Sequence, residues 1–147
     1  MRTLKTLIFV SLFFQMGGTQ AGDLTFTSLN DQITLFNNGK VQSLVISGNS
    51  ESVLIDPINK SNTEEIKNYL RENNKPSITN IIYSHSHWDR LLGSTLFDTK
   101  KHKIISQSAC ELYFTRNNNT DITKPNFYFK KQHTISLEEE DIVLHYF

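Results

Sequence analysis

Two histidines one residue apart, with a carboxylate two positions further on, open the chemical reading of this 147-residue chain: His85-Ser86-His87-Trp88-Asp89. Neutral imidazole and carboxylate are good zinc donors. Residues two apart in extended backbone point the same way, so His85 and His87 can converge on one metal. Asp89 can then reach an adjacent ion, or hold a ligand or water. A lone histidine is ordinarily a surface or hydrogen-bonding residue, but this pattern arises by chance in about one chain in a hundred of this size. The remaining candidates lack such a context. His102 and His133 are expected at the surface, and His145 as a structural residue on the last strand. Cys110 is expected to pack on an apolar helix face; as the single cysteine it has no internal disulfide partner.

The ligand cluster needs a rigid carrier, and the residues before it supply one. Ile78-Thr79-Asn80-Ile81-Ile82-Tyr83 is short and largely apolar, which predicts a buried strand delivering its C-terminal edge into His85. Upstream, strands are expected at 24–27, 32–36, 41–46 and 52–56, separated by Asn37-Asn38-Gly39 and Gly48-Asn49-Ser50. A helix follows, with Asn62 or Ser61 as its cap, Glu64 and Glu65 near its positive end, and Ile66, Tyr69 and Leu70 on one face. Asn73-Asn74-Lys75-Pro76 ends it. Beyond the histidines the pattern predicts a strand at 103–106, a helix at 107–115 and strands at 134–137 and 141–147. Strands alternating with helices indicate an α/β or layered α+β class.

Length and composition allow one domain with its own core, and no repeat or linker divides it. Arg2 and Lys5, an apolar run over 6–14 and small residues before Ala21 read as an export signal over 1–21, leaving 22–147 as the mature chain. The apolar run is too short to span a bilayer comfortably, so no stable membrane anchor is expected after cleavage. The formal charge is zero, which favours neither nucleic acid nor an anionic membrane as partner.

The segment His85-Ser86-His87-Trp88-Asp89-Arg90-Leu91-Leu92-Gly93 resembles the signature of the metallo-β-lactamase superfamily: His-x-His-x-Asp, a basic residue, then Gly. Val53-Leu54-Ile55-Asp56 is similar to the family's strand ending in Asp near the metals, and Asn80 to Ser84 to the strand entering the histidines. The hairpin region 134–147 is similar to the one preceding the family's third histidine. The resemblance implies the N-terminal half of an αββα sandwich, with the C-terminal half, the third histidine and the later ligands beyond Phe147. It further implies an exported, periplasmic or secreted hydrolase that uses one or two zinc ions and a zinc-bound hydroxide on a small-molecule substrate, with β-lactam amides the first candidates. Thioesters, lactones or other esters are the alternative substrates, and a non-catalytic metal-binding fragment is the alternative role. His85, His87 and Asp89 would be the metal ligands, Asp89 also the catalytic carboxylate.

Two features set this chain apart within that resemblance. Many members carry a ligating histidine where Arg90 stands, and a guanidinium cation does not ligate zinc. Class B β-lactamases tolerate arginine there, so Arg90 together with an export signal tilts the resemblance towards them. Two protein donors alone make a weak, open site, so the 147-residue chain by itself is expected to bind metal poorly and to hydrolyse little.

Overall fold

The computed structural model describes residues 23–116, 120–138 and 140–146; the expected export signal lies outside them. Four strands form an antiparallel series: β1 (Thr25–Ser28), β2 (Ile33–Asn37), β3 (Gln42–Ser47) and β4 (Ser52–Ile55). Helix α1 (Lys60–Glu72) then carries the chain back to β5 (Ile78–Tyr83), which pairs parallel to β4. β6 (Lys103–Gln107) adds parallel to β5, and after helix α2 (Glu111–Arg116) β7 (Phe127–Phe129) adds parallel to β6. The result is one seven-stranded sheet in sequential order, with β8 (Gln132–Leu137) and β9 (Glu140–His145) forming a separate antiparallel hairpin.

Side-chain alternation gives the sheet two buried faces. Leu54, Ile81, Tyr83 and Ile104 pack with Ile66 and Leu70 of α1 and Phe114 of α2. Val53, Ile82 and Ile105 point the other way and meet Ile135 and Leu137 of the β8–β9 hairpin. The central strands therefore lie between two layers, which is why β5 reads as a nearly continuous apolar run rather than as an alternation.

Several expectations are corrected by packing. The cap of α1 is Asn59, whose side chain accepts from the Asn62 backbone N–H at 2.8 Å. Asn62 and Ser61 lie inside the helix, and Glu64 and Glu65 stand beyond its first turn, where the helix dipole favours them little. Asn62 instead is 1% exposed, and its side-chain oxygen accepts from both Asn59 and Asn38. Strand β7 escaped sequence reading because three residues at the edge of a sheet carry too short a pattern. The expected helix over 107–115 begins as a 3-10 turn, Ser108–Cys110, from which the half-buried Cys110 packs against the core. His102 and His133 are half-buried rather than surface residues: the rings of Phe97 and Phe127 lie against them, at centroid distances of 5.2 and 4.5 Å.

Candidate metal centre

The parallel strands β4 and β5 end at the same edge of the sheet, and their next residues meet there. Asp56 follows β4 and is 7% exposed; its backbone N–H donates to the Ile82 carbonyl at 2.9 Å, so it is tied to β5. Its carboxylate accepts from the Ser84 backbone N–H at 2.9 Å and from the Ser84 hydroxyl. Ser84 Oγ in turn lies 2.7 Å from Nδ1 of His85. Because the hydroxyl proton is committed to Asp56, the remaining polarity is fixed: Nδ1–H of His85 donates to Ser84 Oγ. That tautomer leaves the Nε2 lone pair of His85 for a metal, and a ligating histidine is ordinarily held by such a bond to its other nitrogen.

His85 and His87 do converge. Their ring centroids are 4.8 Å apart and their planes nearly perpendicular, at 88°. Two imidazoles on one tetrahedral zinc, with Zn–N about 2.0–2.1 Å, hold their centroids about 5 Å apart. The two rings stand at about that separation. Asp89 lies in the exposed 3-10 turn Trp88–Arg90 and does not close on the pair. Among the described residues no group of three or more His, Cys, Asp or Glu side chains comes together as a metal site. Arg90 lines a small polar cleft of about 310 Å³ with Lys40 and the turn between β2 and β3.

The loop after β4 is held in unusual backbone geometry. Asp56 has φ 54° and Ile58 φ 40°, a region costly for a β-branched side chain unless its surroundings impose it. They do: Ile58 bridges to Leu91 beyond the histidine loop, its carbonyl accepts from the Gly93 N–H at 3.1 Å, and its side chain is 1% exposed. A Cβ on Gly93 would stand 2.0 Å from both the Pro57 carbonyl oxygen and Thr63 Oγ1, so only glycine lets the histidine loop approach α1 this closely. Beyond it, fully buried Ser94 accepts from the Thr123 N–H and receives the Thr123 hydroxyl on its carbonyl, while the Tyr83 hydroxyl donates to the Thr123 carbonyl at 2.6 Å. Burial pushes the Tyr83 phenol well above its ordinary range, so it stays a donor.

Sequence reading located His85, His87 and Asp56 but missed Ser84 as the link between them. The available signal was a hydroxyl residue directly before the first histidine.

Neither a family model nor a curated protein sequence matches the chain. Solved structures do match in fold. The metallo-β-lactamase from Pontibacter korlensis aligns with 19% identity and a TM-score of 0.66 over 81% of this chain and 58% of that one. The metallo-β-lactamase IND-7 aligns with 17% identity and a TM-score of 0.68, over 86% and 62%. The metallo-β-lactamase FIM-1 from Pseudomonas aeruginosa, solved in a mono-zinc form, gives 15% and 0.61, over 78% and 55%. The chain thus has part of the metallo-β-lactamase fold and spans 55–62% of the length of these three structures.

Proposed function

We propose that this chain supplies the first ligand pair of a zinc-dependent hydrolase of the metallo-β-lactamase fold. The observation that carries the reading is the His85–His87 pair, spaced for one ion and held through the Asp56–Ser84–His85 hydrogen-bond chain. His85 and His87 would hold the metal. Zinc, when bound, supplies a Lewis acid and lowers the pKa of its water.

The chain's own residues would do the rest. Asp56 and Ser84 hold His85 in the tautomer that presents Nε2. Asp89, exposed two residues beyond His87, would have to swing towards the pair to orient the attacking water or a second ion. Lys40 and Arg90, on the wall of the polar cleft, would attract an anionic group on the substrate. The fold neighbours favour β-lactam amides as substrates, and esters, thioesters and lactones are the alternative. The basic, apolar start of the sequence supports export of the protein.

The test is metal titration of the full chain followed by ring-proton NMR. Zn(II) should perturb His85 and His87 together, and His87→Ala should abolish uptake. A chain that takes up no metal at millimolar Zn(II), or takes it up unchanged without His87, would overturn the reading. With only two protein donors the zinc-loaded chain should hydrolyse little, and which of β-lactams, thioesters and lactones it turns over measurably, if any, separates the substrate classes.

A further inference from the structure

Lys67, Arg71 and Lys75 recur at four-residue spacing along α1 and the loop that leaves it, and all three line one cavity of about 560 Å³. His102 joins them on its wall, while the core residues Leu70, Ile78 and Phe97, each no more than 6% exposed, form its floor. Among the described residues no acidic side chain lines it. Among the described residues none of the three cations has an ion-pair partner. Like charges four apart on a helix repel, so Lys67 and Arg71 stand side by side on α1 with no ion pair among the described residues to offset them.

The local bonds orient these groups without neutralising them. Arg71 donates one guanidinium N–H to Asn68 at 3.0 Å and keeps further donors, and Lys75 donates to the Asp31 carbonyl. Lys67 Nζ lies 5.5 Å from the Phe97 ring centroid. Nδ1 of His102 bonds the Asp98 carbonyl at 2.9 Å, which makes Nδ1 its protonated nitrogen. A helix C-terminus would ordinarily repel an anion. Here its last carbonyls already accept: Tyr69 from the Asn73 backbone and side chain, Leu70 from Lys75, and Arg71 from Asn74.

We propose that this cavity binds an organic anion, its carboxylate or phosphate head held by Lys67, Arg71 and Lys75 and its flat body lying over the floor where the edges of Leu70, Ile78 and Phe97 come to the surface. The volume falls within the range of small-molecule sites, about 300–1,000 Å³. Ile78 begins β5 whereas His85 follows its end, roughly 23 Å further along at strand rise, so this site is separate from the histidine pair.

Calorimetric and NMR titration of the full chain tests it with 2-naphthoate, 2-naphthyl phosphate, inorganic phosphate and the neutral 2-naphthylmethanol. At least one naphthyl anion should bind with submillimolar Kd, at least tenfold tighter than the alcohol or inorganic phosphate, and the stronger of the two identifies the head group. Shifts should centre on His102 and residues 67–78. Raising NaCl from 50 to 500 mM, or Lys67→Gln or Arg71→Gln, should weaken binding tenfold or more, and His87→Ala should leave it unchanged. No anion binding at 5 mM, equal binding of the alcohol, or shifts centred on 84–90 would overturn the proposal.

Discussion

Single residues decide whether the histidine pair can act as ligands. Ser84 occupies one hydroxyl between a carboxylate and an imidazole, so its proton can go only one way. Ser84→Ala removes the acceptor that holds Nδ1–H of His85. The expected outcome is a mixture of tautomers, read from the imidazole nitrogen shifts, with zinc affinity about 10–100-fold lower. Unchanged shifts and unchanged affinity would show that Ser84 plays no positioning part. His133 carries a second testable property. Its pKa is lowered from the ordinary 6.5, first by burial and then by the Lys103 ammonium, which lies 3.3 Å from its Nε2. The native state therefore resists a proton that the unfolded chain accepts. Stability from this site is present above pH 6.5 and lost as pH falls below it towards the lower folded value. Urea midpoints at pH 7.5 and 5.5 should differ more in the wild type than in His133→Gln.

At the scale of elements, the histidine loop depends on how closely it approaches the start of α1. Gly93→Ala would drive a methyl into the Pro57 carbonyl and Thr63, and should cost at least about 1–3 kcal/mol. Chemical denaturation measures that loss, and the 4.8 Å histidine pairing should loosen with it. The cap of α1 is a smaller effect: Asn59→Ala should cost about 1 kcal/mol. Asn62 raises that figure, because losing Asn59 also removes one of the two donors to a buried side-chain oxygen. A cost indistinguishable from zero would mean that water replaces the cap.

In the whole molecule, the β8–β9 hairpin is the element that closes the second face of the sheet. It does so through Ile135 and Leu137, while Val143 on its partner strand is 42% exposed. Ile135→Ala should therefore cost about 2–5 kcal/mol in a thermal or urea melt. A cost near zero would show that the hairpin does not close this face. Lys103 reinforces the contact, because its Nζ lies 3.9 Å from the Phe127 ring centroid as well as beside His133. The hairpin and the large sheet are thus joined by apolar area and by one cation among aromatic rings.

The sequence by itself marked the candidate ligands and determined their carrier: His85 and His87 at ligand spacing, and a β5 apolar enough to be buried on both faces. Both are local properties, written in residue type and period. The resemblance to the metallo-β-lactamase signature also marked Asp56 at the end of β4. Tertiary structure alone decided that Ser84, 28 residues beyond Asp56 and at the end of the neighbouring parallel strand, bridges it to His85. It also decided that Asn59 rather than Asn62 caps α1, that His133 lies among rings, and that three cations share one cavity with Phe97 and His102. Each of these rests on which strands pair and how closely loops approach, and pairing is set by the burial of the whole sheet rather than by any one segment.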